Sequence, residues 1–248
     1  MTAKIPCTVV VPILNEERNL PRCLASVGNF AQVVVVDSGS HDSSEAIASE
    51  YGAAILRFSW DGNFPKKRNW VLQTFSFITE WVLFLDADEE ITPAFERAFS
   101  ERIGGGGVEG IWLRYDNFFQ GKKLKFGLPQ KKLAAFKVGK GFYERIEEKR
   151  WSSLDMEVHE HPIVTGRVGF IREPILHHDY NGIDRFVTRH CNYADWEVAR
   201  YLALRDSPEN WALLTQRQKV KYLLLQRGWF WFAYFVYTYV IRDRKSVV

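Results

Sequence analysis

Short apolar runs alternate with helix-like segments over the first hundred residues of the chain. The runs are rich in Val, Ile and Leu and are bounded by turn residues, which is typical of strands buried on both faces of a parallel sheet. They cover residues 8–12, 32–37, 53–57 and 81–85. Because a helical segment lies between successive runs, the pattern predicts right-handed crossovers and an α/β fold with a mostly parallel sheet flanked by helices.

Capping residues set the expected helix starts. Asn15, followed by two glutamates, offers a cap and an acidic first turn for a helix that runs to about Gly28. Residues 42–45 have the spacing of a capping box. A third helix is expected over residues 65–80, and a fourth begins at Thr92.

The second half of the chain is mixed in character. Strands are expected at 111–115 and 132–138, and the four glycines at 104–107 suggest a hinge or a surface loop. A helix is predicted from residue 183 to 205, because apolar residues recur there at helical spacing. These residues are Ile183, Val187, Ala194, Val198 and Leu202, and His190 is interpreted as a packing histidine on the same helix.

The segment 229–241 consists almost entirely of apolar and aromatic residues and is flanked by Arg227 and Arg242. A membrane-spanning helix needs about twenty such residues, so this segment is too short to cross a bilayer. Trp, Tyr and flanking Arg suit the headgroup boundary, which favours peripheral attachment to a membrane surface. The alternatives are a helix buried against the sheet and a dimer contact, which leaves homo-oligomerisation open.

Composition and charge narrow the class of protein. The chain is 46% hydrophobic and 25% charged, as expected for a globular protein with a sizeable core. The net charge of +3 conceals an asymmetry, because residues 1–110 carry −6 and residues 111–248 carry +9. The basic half favours an anionic partner such as a membrane surface or phosphates. Nucleic acid is disfavoured, since no nucleic-acid recognition motif accompanies the charge.

The cysteines and the N-terminal segment bear on location. Three cysteines, far apart and without a Cys-x-x-Cys motif, argue against a disulfide scaffold and a thiolate zinc site, and favour a reducing compartment. The first residues lack an apolar core long enough for a signal peptide, so we expect a cytoplasmic location, peripheral on the inner face of the cytoplasmic membrane.

Carboxylates follow two of the predicted strands. Asp37 ends the second run, and Asp86 and Asp88 come directly after the fourth. Open α/β sheets bind ligands beyond the carboxyl ends of their strands, so these side chains are expected at the ligand edge. If the extended conformation continues, Asp86 and Asp88 point to the same side and can share a divalent cation. The alternative is a solvated acidic loop that caps the helix beginning at Thr92.

The motifs of the first hundred residues together resemble glycosyltransferase family 2. They are Val11-Pro12-Ile13-Leu14-Asn15-Glu16-Glu17, Asp37-Ser38-Gly39-Ser40-His41-Asp42, Lys67-Arg68-Asn69 and Asp86-Ala87-Asp88. The later half is similar to a bacterial subgroup that builds lipopolysaccharide core or exopolysaccharide. That similarity rests on segments 117–122, 158–162 and 177–179 and on the aromatic, basic tail. The resemblance implies the GT-A fold and an inverting transfer from a nucleotide-sugar, most often a UDP-sugar.

The resemblance also implies residue roles. Pro12, Asn15 and Glu16 would line the pocket for the base and ribose, and Asp37 would accept a hydrogen bond from the base. Arg68 would lie near the base or the diphosphate. Asp86 would face the ribose or a metal-bound water, and Asp88 would ligate Mg²⁺ or Mn²⁺. His178 would touch the diphosphate or the metal.

An inverting displacement needs a base to take the proton of the acceptor hydroxyl. The resemblance implies a carboxylate after the metal motif, and Glu160 is preferred to Asp155 and Glu157. The alternative for Glu160 is a surface carboxylate paired with Arg145 or Arg167.

Two further clusters have open interpretations. The histidines at 159, 161, 177 and 178 fit either zinc ligation or ordinary loop hydrogen bonds. The lysines at 122, 123, 125, 131 and 132 fit either an anionic acceptor or a solvated hairpin.

These patterns predict regions of different function along the chain. Residues 1–180 are predicted to form the GT-A catalytic domain, with a nucleotide-sugar half at 1–103 and an acceptor half at 108–180. Residues 181–248 are predicted to form a helical, membrane-associating extension. The expected acceptor is a glycan or a lipid-linked saccharide. The alternatives are transfer to polyprenyl phosphate, a sugar-phosphate nucleotidyltransferase, and a non-catalytic membrane-docking module. The nucleotidyltransferase is disfavoured because no glycine-rich loop with a following Arg comes after the first strand.

Overall fold

The structure, a computed structural model, describes residues 4–125, 130–145, 161–206, 211, 214 and 216–241. The chain divides into two compact units. The first comprises residues 1–124 and 128–187, and the second comprises residues 125–127 and 188–248. The functional boundaries expected from the sequence, at 103/108 and 180/181, stay a prediction.

The first unit contains the β-structure, which among the described residues is one large sheet and one small one. The strands are β1 (Ile5–Ile13), β2 (Phe30–Asp37), β3 (Ala54–Arg57), β4 (Trp81–Phe84), β5 (Glu89–Glu90), β6 (Gly110–Phe119), β7 (Lys122–Lys123), β8 (Lys131–Lys137), β9 (Gly141–Tyr143), β10 (Pro162–Val164) and β11 (Val168–His178). The large sheet has the order β3-β2-β1-β4-β8-β6-β11-β5, with β7 on β6, and β9 pairs with β10. Strands β1 to β4 are parallel, and β8 enters antiparallel to β4.

Helices follow the strands in the predicted rhythm. They are α1 (Leu20–Ser26), α2 (Ser44–Glu50), α3 (Lys67–Thr74), α4 (Pro93–Gly104), α5 (Ile183–Asp206), α6 (Gln216–Gln226) and α7 (Phe230–Phe235), which continues as a π-helix over Val236–Ile241. The predicted α/β class, a mostly parallel sheet flanked by helices with helical elements at the C-terminal end, is confirmed.

The two faces of the sheet carry separate apolar cores. Val9 and Val11 pack into the first core, and Val10 packs into the second. This division follows from the strand itself, because successive side chains point to opposite faces. Since both faces are covered, β1 is apolar at nearly every position, which explains the unbroken run in the sequence.

The prediction of a helix beginning at Asn15 is wrong. Helix α1 begins at Leu20, and Asn15 has a left-handed backbone with φ of 55°. Its side chain accepts a hydrogen bond from the His41 amide at 2.8 Å instead of capping a helix. The loop before α1 is therefore committed to contacts with distant segments. Helix α3 is likewise shorter than the predicted 65–80.

Helix α5 matches the predicted span, but the interpretation of His190 as a packing histidine on its apolar stripe is wrong. The predicted apolar stripe is exposed, with Ile183 at 51% and Val198 at 57%. The buried residues of the helix are instead Trp196, Arg200 and Leu204. His190 is also exposed, and its ring lies 5.8 Å from that of Tyr193. Helical periodicity identifies an apolar stripe but does not say whether another element covers it.

The second unit has a small core of its own. Leu204, Leu214 and Tyr222 are buried together, and the Trp211 indole donates to the Leu204 carbonyl at 3.0 Å. Aromatic residues of α7 are exposed, Trp231 by 74% and Phe232 by 60%. Across the described residues, none of the helices combines the length and the apolar character that crossing a bilayer requires.

Candidate active site

The ends of three adjacent strands define the candidate site. Strand β1 lies between β2 and β4, parallel to both, and Ile13 pairs in register with Asp37 at the end of β2. Asp86 follows β4 closely on the other side of β1. The expectation that Asp37 and the Asp-x-Asp segment share one sheet edge therefore agrees with the topology.

A tight turn, rather than an extended strand, brings the acidic residues together. The Glu89 amide donates to the Asp86 carbonyl at 2.9 Å, and the Glu89 carboxylate accepts from the Asp86 amide at 3.1 Å. The expectation that the extended conformation continues through Asp88 is wrong, because β4 ends at Phe84. The turn folds Glu89 back, so that one carboxylate oxygen each of Asp86, Asp88 and Glu89 lie within 4.8 Å of one another.

Two cations hold the Asp86 carboxylate. Arg68, in the first turn of α3, contacts one carboxylate oxygen at 2.8 Å, and the ammonium of Lys132 on β8 contacts the other at 2.6 Å. Lys132 also reaches Glu89 at 2.5 Å. Burial acts to raise the pKa of Asp86, but Lys132 and Arg68 outweigh it and hold that pKa well below the usual range. Burial raises the pKa of Glu89 to about 7, despite the nearby Lys132.

Asp88 is held by a histidine from β11. The His177 Nε2 lies 3.2 Å from a carboxylate oxygen of Asp88, and its Nδ1 lies 2.9 Å from the Asn117 side-chain oxygen. Burial opposes the charge on both partners, yet their contact lowers the pKa of Asp88 and raises that of His177. The resemblance implies that His178 touches the diphosphate or the metal, which stays a prediction, and in the structure its ring stacks on Phe118 with 3.7 Å between ring centres. Only the His178 amide reaches Asp88, by donating to its carbonyl at 2.8 Å.

The residues of the acidic turn fit a divalent cation. Carboxylates are hard oxygen donors of the kind that Mg²⁺ prefers, and Mg²⁺ is usually held by one or two carboxylates together with substrate phosphates. Within this cluster, Asp86 and Glu89 share the Lys132 ammonium and Asp88 contacts His177, and each of the three offers one oxygen to an ion. Among the described residues, this is the one group of three or more acidic, His or Cys side chains with metal-binding spacing, and it contains no histidine.

Asp37 organises the turn that follows β2. Its carboxylate accepts from the amides of Gly39 and Ser40 at 3.1 and 3.0 Å, and from the Ser40 hydroxyl at 2.5 Å. Gly39 has a φ of 88°, a conformation that a glycine adopts without strain. The Ser40 hydroxyl oxygen in turn accepts from the Asn15 amide at 2.9 Å, which links this turn to the loop after β1.

The three residues predicted for the base and ribose pocket differ in their surroundings. Pro12 is buried within β1, in register with Val36. Asn15 lies in the loop between β1 and α1. Glu16, in the same loop, is occupied by protein partners, because its two carboxylate oxygens accept from Arg185, Asn19 and Asn181 at 2.7, 2.9 and 2.9 Å.

Sequence reasoning missed Lys132, Glu89 and His177 as members of the cluster. Lys132 was grouped with the hairpin lysines, although it is the residue that joins Asp86 to Glu89. A signal was present for Glu89, since it is part of the same acidic run. The remaining candidates, Glu160, Asp155, Glu157 and His159, lie outside the described residues.

The chain is similar in sequence to known proteins. A family model described as "Glycosyl transferase family 2" matches residues 8–161. A TPR repeat-containing protein of Synechococcus elongatus is 43% identical over 81 residues, covering 32% of this chain and 19% of that protein. The lipopolysaccharide core biosynthesis glycosyltransferase LpsC of Rhizobium meliloti is 28% identical, over 72% of this chain and 64% of its own length. The chain thus spans less than two thirds of either relative.

The chain is also similar to proteins of solved structure. Residues 1–349 of TarS from S. aureus share 24% sequence identity with this chain, with a TM-score of 0.41, over 50% of this chain and 38% of that one.

Proposed function

The chain belongs to glycosyl transferase family 2, and from this premise we propose that it is an inverting, metal-dependent enzyme using a UDP-sugar. Its acceptor is a saccharide of lipopolysaccharide or exopolysaccharide synthesis. The observation that carries the proposal is the meeting of Asp37, Arg68 and the acidic turn 86–89 at the carboxyl ends of parallel strands. The name of LpsC supports the class of acceptor.

The residues of the site have distinct tasks in this proposal. Asp88, with Asp86 and Glu89, holds Mg²⁺ or Mn²⁺, which when bound acts as a Lewis acid on the leaving diphosphate. Arg68 and Lys132 place two positive charges beside the acidic turn, which favours an anionic leaving group there. Asp37 accepts a hydrogen bond from the base, and Glu160 takes the proton of the acceptor hydroxyl.

Binding of the donor tests this proposal first. We expect UDP with Mn²⁺ to raise the melting temperature, because a ligand that binds only the folded state stabilises it by about 2.7 kcal/mol at one hundred times its Kd. GDP and CDP with Mn²⁺ serve as matched controls for the base, and UDP with EDTA for the metal. A chain that responds to none of these nucleotides contradicts the proposed function.

The C-terminal helices support peripheral attachment to the membrane. Trp229, Trp231 and Phe232 are exposed, and the predicted apolar stripe of α5 is exposed as well. The basic residues Lys219 and Arg227 lie before this aromatic segment in sequence. Aromatic side chains near cations suit an interface with anionic lipid headgroups, to which each nearby Lys or Arg contributes about 1 kcal/mol.

Vesicle binding tests the attachment. We expect the double variant Trp231→Ser, Phe232→Ser to lose at least tenfold in binding to phosphatidylglycerol-containing vesicles, because it removes two exposed aromatic side chains. The measurement is co-sedimentation, with neutral phosphatidylcholine vesicles for comparison. Ile78→Ser is the matched control, since Ile78 is 72% exposed in the first unit. Equal binding by the double variant and the parent would refute this role of the aromatic segment.

A further inference from the structure

A segment that begins at the last residue of β11 binds the loop between β1 and α1. The segment covers residues 178–185 and ends in the first turn of α5, and the loop covers residues 14–19. The loop belongs to the sheet edge that holds Asp37, and the segment begins one residue after His177, the partner of Asp88. Both pieces therefore adjoin the candidate site.

Arg185 makes the central contacts between this segment and the loop. Its guanidinium donates to the backbone carbonyls of Asn15 at 2.5 Å and Leu14 at 2.7 Å, and contacts the Glu16 carboxylate at 2.7 Å. The carbonyls of Leu14 and Asn15 lie beyond the end of β1 at Ile13, so within the described residues they accept no hydrogen bond from a neighbouring strand of the sheet. A planar guanidinium can satisfy several acceptors at once in fixed directions, which an ammonium cannot.

The rest of the segment binds the far end of the loop. Asn181 donates to Glu16 at 2.9 Å, and the Tyr180 amide donates to the Asn19 side chain at 3.0 Å. Asn19 is fully buried and also donates to Asp179 at 3.3 Å. Arg22 of α1 completes the contact by donating to the His178 carbonyl at 3.2 Å. The contact is thus a network of bonds, some between side chains and some between a side chain and the backbone, that joins segments about 160 residues apart in sequence.

The loop needs external support because its conformation is costly. Asn15 has a left-handed backbone, which is uncommon for residues other than glycine although tolerated by Asn. Residues 40–44 support one side of the loop, through bonds to the amides of Asn15, Glu16 and Glu17. Arg185 binds the carbonyls of Leu14 and Asn15 on the other side, and Asn181 binds the Glu16 carboxylate. Without them, a nucleotide would have to order the loop as it binds, at the expense of affinity.

We propose that Arg185 is a positioning residue that fixes the donor-binding loop 14–17, and that Glu16 is its anchor rather than a contact of the nucleotide. The inference rests on the proposed function, since it takes the loop as part of the donor pocket. It accounts for the occupied carboxylate of Glu16, whose burial raises its pKa against the contacts with Asn19 and Arg185.

The test compares Arg185→Met with Arg185→Lys, and uses Arg18→Met as the control in the same loop, where Arg18 is exposed. We expect Arg185→Met to raise the Kd for UDP with Mn²⁺ and the KM for the donor about tenfold, with kcat within about twofold, because the lost interaction aids substrate and transition state equally. Arg185→Lys should restore part of the affinity. Hydrogen–deuterium exchange of residues 14–17 without nucleotide should quicken in Arg185→Met alone.

Glu16→Gln separates the two roles of Glu16. If Glu16 anchors Arg185, the double variant Glu16→Gln, Arg185→Met loses no more affinity for UDP than Arg185→Met does, because both changes break one network. Additive losses, or an unchanged Kd in Arg185→Met, would overturn the inference while the parent still binds UDP. A parent chain that binds no nucleotide would instead sink the proposed function, and the inference with it.

Discussion

Replacing Asp88 by Asn is expected to lower metal-dependent transfer about a thousandfold while leaving the fold intact. Asp88 contributes one carboxylate oxygen to the acidic cluster, and its contact with His177 lowers its pKa, so we expect it to bind Mg²⁺ or Mn²⁺ as a carboxylate. Lewis-acid stabilisation of a leaving group is worth several kcal/mol, and about 4 kcal/mol corresponds to a thousandfold in rate. Asn keeps the size of the side chain and an oxygen for His177.

Metal binding is the measurement that makes this prediction specific. Titration of Mn²⁺, followed by electron paramagnetic resonance in the presence of UDP, should show weak or no binding to Asp88→Asn and normal binding to Glu90→Gln. Glu90 is the matched control because it is an acidic residue two positions after Asp88 and does not belong to the cluster. Thermal unfolding checks the fold of both variants. Full activity in Asp88→Asn would remove Asp88 from the metal site.

The strands and their edge could be predicted because burial on both faces leaves a strong mark in sequence. Val9, Val10 and Val11 alternate between two cores, so apolar residues are favoured at successive positions of the strand. Asp37 and Asp86 follow such strands directly, so their common edge follows from the topology of parallel sheets. The order of the strands and acidic residues along the chain was therefore enough to predict where the candidate site lies.

The identity of the partners could not be predicted, because it depends on register. Lys132 lies 46 residues from Asp86 and reaches it only because β8 pairs antiparallel with β4, with Leu83 opposite Ala135. His177 rather than His178 faces Asp88 because of the path of β11, whose pairing with β6 shifts between Phe170 and Pro174. An irregularity of this kind upsets the alternation on which a sequence argument relies.

The loop before α1 shows a different limit. Asn15, Glu16 and Glu17 are good residues for the start of a helix, and local preference alone favours one there. Their side chains and amides are instead bound by residues 40–44 and by Arg185, which are remote in sequence. Tertiary contacts outweighed a local preference worth about 1 kcal/mol. Such a reversal occurs where a loop is shaped to receive a ligand, which agrees with its place in the proposed donor pocket.

Replacing Glu160 by Gln is the second change from which a large effect is expected. Gln keeps the shape of the side chain but cannot accept a proton, and a general base contributes about 10²- to 10⁴-fold to a rate. We therefore expect transfer to the acceptor to fall by about a thousandfold. The Kd for UDP with Mn²⁺ should stay unchanged, because the base acts on the acceptor hydroxyl and not on the donor.

The described chain next to Glu160 supports its assignment. His161 exchanges backbone and side-chain bonds with Glu144, both at 3.2 Å. Tyr143, the residue before Glu144, is bound through its amide and carbonyl to the Asn69 side chain at 2.9 Å, and its ring lies 5.3 Å from the Arg68 guanidinium. Arg68 in turn contacts Asp86. A chain of direct contacts thus connects the residue after Glu160 with the acidic turn.

The controls distinguish a base from a neighbouring carboxylate. Asp155→Asn and Glu157→Gln remove the two less favoured candidates, and both are expected to retain transfer within about threefold, because neither is the proposed base. Nucleotide release from the donor should be measured beside transfer, because the loss of a base slows attack by the acceptor but leaves donor binding intact. If Glu157→Gln loses transfer and Glu160→Gln does not, the proton passes to Glu157, and the inverting mechanism stands with a different base.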